Sequence, residues 1–137
     1  MTYTGGSLCG ACRYEFGAFT GHVDHCHCRF CQKSHGAAFG TYVEVVPAGF
    51  RWTGETAAIG RYQSSSHSAR IFCRTCGSSL QAEIDGGRIL AVTAATLDEG
   101  TGLPSPGEHM FVRSRATWYR GRDDLPEYDE YPPYMSD

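Results

Sequence analysis

The chain has 137 residues, a formal charge of −3 at pH 7 and a sequence pI of 6.0, which leaves room for a single domain with a modest core. No basic stripe of the kind that tracks phosphates is present, so nucleic acid is excluded as the expected partner, and no apolar run approaches the ~18 residues of a membrane span. The first residues, Met1-Thr2-Tyr3-Thr4-Gly5, carry neither the charged nor the apolar region of a secretory signal, so the expected location is cytoplasmic.

Seventeen glycines interrupt a chain rich in β-branched and aromatic residues, a pattern of many short strands. In chain order, strands are predicted over 12–17, 38–46, 50–53, 59–63, 69–72, 80–84, 88–92 and 109–113, with one short helix over 29–34 that leaves a cysteine cluster and ends near Gly36. Ser64-Ser65-Ser66 reads as a loop tip. Asp85-Gly86-Gly87 lies between two of the strands and reads as a hairpin turn, because Asp and Gly tolerate the positive φ that tight hairpins demand. From Arg122 to the end the chain is rich in Asp, Glu, Tyr and Pro. This tail is expected to be irregular, packed on the surface through its tyrosines or partly unstructured. The fold class is therefore mostly β, built from short antiparallel strands with little helix, as one domain over 1–137.

Seven cysteines need a reason in a reducing compartment, where structural disulfides are rare, and an odd number cannot all pair. Cys9-Gly-Ala-Cys12 and Cys73-Arg-Thr-Cys76 are CxxC pairs. Two such pairs far apart form two tight knuckles and together supply the four sulfurs of a closed structural zinc, here stapling an N-terminal strand to a late hairpin. Buried free cysteines without metal are the competing reading. Neither pair precedes a convincing helix, which argues against a redox role.

The middle cluster, Cys26-His-Cys28-Arg-Phe-Cys31, offers three sulfurs and leaves a tetrahedral ion one ligand short, the mark of a catalytic zinc. Three thiolates give a zinc unit a net charge near −1, which blunts its power to ionise water and suits it to a fourth thiolate brought by a substrate. His25 and His27 flank Cys26, and in extended backbone their side chains point away from it. A distant histidine such as His109 completing a closed Cys3His site is the alternative.

Three segments carry a resemblance. Gly6-Ser-Leu-Cys9-Gly-Ala-Cys12-Arg-Tyr14-Glu, Cys26-His-Cys28-Arg-Phe-Cys31-Gln-Lys-Ser34 and Phe72-Cys73-Arg-Thr-Cys76-Gly77-Ser78, followed by His109-Met-Phe-Val-Arg-Ser114 with Trp118 and by Asp124-Leu-Pro126, resemble the glutathione-dependent formaldehyde-activating (GFA) family, which includes centromere protein V. The resemblance implies an all-β zinc fold called a β-tent, a structural zinc shared by the first and last cysteine pairs, and a second zinc on Cys26, Cys28 and Cys31 where glutathione acts. The family activity is condensation of formaldehyde with glutathione, and the reverse. One departure matters: the family begins with a CxC pair whose first cysteine falls at Ser7 here, while Cys12 stands where an aliphatic residue is usual. Either Cys12 replaces the missing ligand, with a local turn at Gly10, or Cys12 is a small core residue.

The function expected is that of a carbon–sulfur lyase with two zinc ions, in which a glutathione-like thiol on the open Cys26, Cys28, Cys31 zinc adds to formaldehyde or a related aldehyde. His35 and His109 are candidates for moving the proton, and Arg29 and Lys33 for attracting the thiol's carboxylates. A non-catalytic zinc-stabilised protein-binding module, with the tyrosine-rich tail from Tyr128 to Tyr134 as its contact surface, is the alternative.

Overall fold

The computed structural model describes residues 2–100 and 102–135. In chain order the elements are β1 (Tyr3–Gly6), β2 (Arg13–Phe16), β3 (Phe19–Cys26), α1 (Arg29–His35), β4 (Gly40–Val45), β5 (Arg51–Trp52), β6 (Ile59–Gln63), β7 (Ser68–Cys73), β8 (Ser79–Ile84), β9 (Ile89–Thr93) and β10 (Glu108–Met110). The protein is mostly β. Strands β1, β2 and β5 form a small sheet, and the remaining seven form a large one in the order β10-β3-β4-β9-β8-β7-β6.

Side-chain alternation gives the large sheet two unlike faces. Val23 of β3, Val43 and Val45 of β4, and Leu90 and Val92 of β9 point to one side and bury Tyr14 and Phe16 of β2 against them. That core joins the two sheets. On the opposite side the same strands present Asp24, Cys26, Tyr42, Glu44, Ile89 and Ala91, which line a cavity covered by α1 and the tail. A strand whose two faces meet such different surroundings shows no clean apolar alternation. This is why β3, Phe-Thr-Gly-His-Val-Asp-His-Cys, is not among the strands predicted from the sequence.

Two other differences have local causes. Residues 102–107 are irregular, and β10 follows beside β3 in parallel, Met110 opposite Cys26, so one pairing departs from the antiparallel expectation. The strand predicted over 109–113 stops early, because Phe111 adopts φ 57° and turns the backbone into a 3-10 turn over Val112–Ser114. The helix ends as expected, with Gly36 at φ 63° donating its N–H to Gln32. The hairpin turn at 85–87 is a positive-φ turn, Asp85 at 51° and Gly86 at 66°.

The described residues after Arg122, 123–135, make no strand, yet they are tied down. His109 N–H donates to Pro126 O, Tyr128 N–H to His109 O and Phe111 N–H to Glu130 O. Tyr131 packs edge-on against Phe111, and Tyr134 stacks on His22 at 3.8 Å.

Candidate functional site

Among the described residues two triplets bring their ligand atoms within 4.8 Å of one another: Cys9, Cys73 and Cys76, and Cys26, Cys28 and Cys31. Tetrahedral zinc with Zn–S bonds near 2.3 Å sets its sulfurs ~3.8 Å apart. The Cys9 and Cys73 sulfurs stand 3.7 Å apart, and those of Cys28 and Cys31 3.2 Å. Both donor sets fit a zinc ion, the second after a slight opening.

The first triplet is built from two knuckles. Gly10 and Gly77 both sit at φ 82°, a conformation that side chains with a Cβ resist, and each lets backbone fold back on a sulfur. Ala11 N–H donates to the Cys9 sulfur at 3.4 Å, and Gly77 N–H closes onto Cys73 O at 2.8 Å. Cys12 lies beside this triplet, fully buried among Ala58, Cys73 and Leu80. Burial, reinforced by a hydrogen bond to Cys73, pushes its thiol up to about 12. Ser7 also adjoins the triplet, with Oγ 3.6 Å from the Cys9 sulfur and accepting the Cys12 N–H at 3.1 Å. The place of a fourth ligand therefore has two neighbours, the Cys12 sulfur and the Ser7 hydroxyl.

The second triplet straddles a strand and a helix. Cys26 ends β3, Cys28 caps α1 by accepting the Cys31 N–H on sulfur at 3.3 Å, and Cys31 follows in the first turn. Buried Gln32 holds the turn in place: its amide donates to His27 O at 2.7 Å and to Ser114 O at 2.8 Å, and its carbonyl oxygen accepts from Arg29. The helix is thereby fastened to both parallel strands' exits.

Two polar side chains reach the Cys31 sulfur and a third, His35, stands behind them; the sequence reading singled out only His35. The Tyr42 hydroxyl donates to it at 3.3 Å, and Arg70 Nη1 reaches it at 3.6 Å and Tyr42 Oη at 3.0 Å. With its proton committed to sulfur, Tyr42 Oη also accepts from His35 Nε2 at 2.8 Å. Burial, and then the charge of Arg70, hold His35 below its ordinary value and so neutral. Gly40 permits this packing, since a Cβ there would stand 2.8 Å from His35 Nε2. Arg70 lies between apolar Ala69 and Ile71 in β7, which in sequence reads as an outward-facing strand residue. The pairing of β7 with β8, Arg70 opposite Ala82, turns that face into the cavity. A cation against the Cys31 sulfur offsets the negative charge of three thiolates.

His109 stands elsewhere. It is buried on the Val23 side of the large sheet, with Nε2 at 3.0 Å from Asp123 and Nδ1 at 2.8 Å from His27 Nε2. With Asp123 accepting from Nε2–H, Nδ1 accepts from His27, and His27 Nδ1 has no partner among the described residues. The chain of rings binds the tail to β3 behind the sulfurs. Neither His109 nor His35 lines the cavity; His35 touches the triplet through Tyr42, and His109 is a strand's thickness away. Lys33 faces a groove on the far side of Phe30, and Arg29 stands at the cavity mouth.

The cavity that opens on Cys26, Cys28 and Cys31 measures 290 Å³. Its wall includes Asp24, where burial and a hydrogen bond to Glu108 raise the carboxyl. Tyr134 Oη hydrogen-bonds both carboxyls, at 2.9 Å from Asp24. A phenol has one proton, so Tyr134 shares a single donor between the two carboxyls.

A family model described as glutathione-dependent formaldehyde-activating enzyme matches residues 2–114, which takes in both triplets, Tyr42 and Arg70. The chain belongs to the glutathione-dependent formaldehyde-activating enzyme family. Among solved structures it is similar to a Rhodobacter sphaeroides protein, at 22% identity and a TM-score of 0.61, over 72% of this chain and 91% of that one; at this identity the likeness is one of fold. Membership of the GFA family places glutathione and formaldehyde chemistry at the level of the family, and both triplets are compatible with the zinc it implies. No helix among the described residues is long and apolar enough to cross a membrane.

Proposed function

We propose that this protein is a zinc-dependent carbon–sulfur lyase that joins a glutathione-like thiol to an aldehyde and splits the adduct again. The observation that carries this reading is that Cys26, Cys28 and Cys31 converge within 4.8 Å in the wall of a cavity. Cys26, Cys28 and Cys31 would hold a zinc ion there, which would supply a position that lowers the pKa of an incoming thiol while leaving its sulfur nucleophilic. The sulfur then forms a bond to the aldehyde carbon, the C=O π pair moves to oxygen, and a proton ends on that oxygen. The residues of the chain bind and balance charge around this event. Arg70 neutralises the triplet, and its guanidinium, in the cavity wall, is the donor for the oxygen on which charge develops. Tyr42, oriented by His35, keeps one hydrogen bond on Cys31.

A single donor to a developing oxyanion is worth ~10²-fold or more in rate. Arg70→Gln is therefore expected to lower kcat/KM for thiol–aldehyde exchange, followed by NMR, about 10²-fold with zinc content unchanged, and Arg70→Lys to recover part of the loss. Wild-type kinetics in Arg70→Gln would remove Arg70 from the chemistry.

Cys9, Cys73 and Cys76 hold the structural ion in this reading, and Cys12 completes the set by turning its side chain toward them, because a thiolate binds zinc far better than the Ser7 hydroxyl does. Metal analysis of Cys12→Ala is expected to show one zinc equivalent lost, and the double variant Ser7→Cys/Cys12→Ala to regain it. Two full equivalents in Cys12→Ala would assign Cys12 to the core alone.

A further inference from the structure

We propose that the aldehyde this enzyme handles carries an apolar substituent several carbons long, seated on a floor made by β8 and β9; the inference deepens the thiol–aldehyde reading and rests on it.

Strand register builds the floor. Ala82 pairs with Ala91, and two residues along the same face Ile84 pairs with Ile89, which is ~7 Å further from the sulfurs. Both pairs line the cavity. The two alanines make the hollow: Glu44 of β4, opposite Ala91, and Arg70 of β7, opposite Ala82, flank them, and Tyr42 stands two residues nearer the sulfurs, so polar groups meet the reacting atoms while the isoleucines receive what extends beyond. Met110, opposite Cys26 in β10, continues the apolar wall.

Size argues against a one-carbon aldehyde as the sole fit. Formaldehyde, with two non-hydrogen atoms, fills little more than the ~30 Å³ share of a water molecule, a small part of the 290 Å³ available. Charge argues against the thiol's own polar arms as the occupant. Glutathione carries two carboxylates, whereas the floor is apolar and bounded on the β3 and β4 side by Asp24 and Glu44. Of the arginines that line the cavity, Arg29 lies on α1 and Arg113 follows β10, both away from β8 and β9, while Arg70 beside Ala82 is engaged by the Cys31 sulfur and Tyr42. The carboxylates therefore favour the α1 side, and the carbon chain of the aldehyde the floor. The reaction is balanced without a further reactant: the thiol S–H adds across C=O, one C–S bond forms, the π pair goes to oxygen and the proton follows.

Each buried methylene strengthens binding about 4-fold. Calorimetric titration of the zinc-loaded wild-type protein with S-methylglutathione and S-hexylglutathione, which report on binding without turnover, is expected to show the hexyl compound bound at least ~10-fold more tightly. In parallel, kcat/KM with glutathione is expected to rise from formaldehyde to hexanal. Ala91→Leu, which fills the hollow, and Ile89→Asn, which makes its end polar, are each expected to flatten both chain-length trends; thermal melting identifies whichever variant keeps the fold. Exchange with formaldehyde and equal affinity for the two S-alkyl compounds would overturn the inference and leave the thiol–aldehyde reading standing. Tighter hexyl binding with no exchange of any aldehyde would support the apolar subsite and sink the reaction assigned to it.

Discussion

Replacing Cys28 with serine is expected to abolish thiol–aldehyde exchange while leaving the fold in place. Losing an outer hydrogen-bond partner of a metal site costs ~10–100-fold, so losing one of only three ligands should cost well over ~10²-fold in rate and release one of two zinc equivalents. The fold survives for a local reason. Cys28 caps α1 by accepting the Cys31 N–H, and serine is among the best residues at that position. Gln32 still fastens the helix to His27 and Ser114. Elemental analysis, NMR exchange of glutathione with formaldehyde, and thermal melting form the test. Exchange at the wild-type rate in a protein holding one zinc would remove the triplet from the chemistry and leave a binding module as the stronger reading.

Cys73→Ser is expected to do the opposite, destroying the fold. Cys73 is fully buried at the end of β7, 3.7 Å from the Cys9 sulfur and packed with Cys12, Ala58 and Leu80. It connects the first knuckle to the second across the molecule. Zinc binding at structural sites of this kind contributes ~10 kcal/mol or more, comparable with the ~5–15 kcal/mol that holds a whole domain together. The variant should show no cooperative unfolding transition by circular dichroism at 25 °C, and the wild-type protein should lose its transition on prolonged chelation. A Cys73→Ser protein that melts within a few degrees of the wild type would show that the two sheets hold together through the Tyr14, Phe16 and valine core alone.

The two variants differ because the triplets occupy different places in the architecture, and that difference is only partly visible in the chain. The CxxC and CxCxxC spacings are local: Cys26, Cys28 and Cys31 lie within one turn of each other in any fold that caps a helix at Cys28, so their convergence follows from sequence. The helix, the hairpin at 85–87 and most strands are legible for the same reason, since turn chemistry and β-branched runs act over a few residues. The polar network that reaches the Cys31 sulfur is not local. Tyr42, Arg70 and His35 come from β4, β7 and the end of α1, and nothing in the pattern Ala-Arg-Ile says that Arg70 faces a cavity and not water. Ser7 and Cys12 lie five residues apart, and their nearness to Cys73 depends on a knuckle whose course is set by Gly10 and by the packing of Cys12 into the core.

His109 makes the same point. Its type and its place in the His109-Met-Phe-Val-Arg-Ser114 segment suggest chemistry, but the parallel pairing of β10 with β3 puts Met110 on the side of Cys26 and His109 on the other, where it hydrogen-bonds His27 and Asp123. Alternation along a strand decides which of two neighbouring residues meets the site, and register decides the alternation. Sequence alone determines that this protein gathers three sulfurs at the start of a short helix and folds its CxxC pairs into knuckles, because those are contacts over a few bonds. Which cation balances the sulfurs, which hydroxyl touches them and what shape of substrate lies beside them are decided by strand register across the large sheet, a long-range property that no short segment carries.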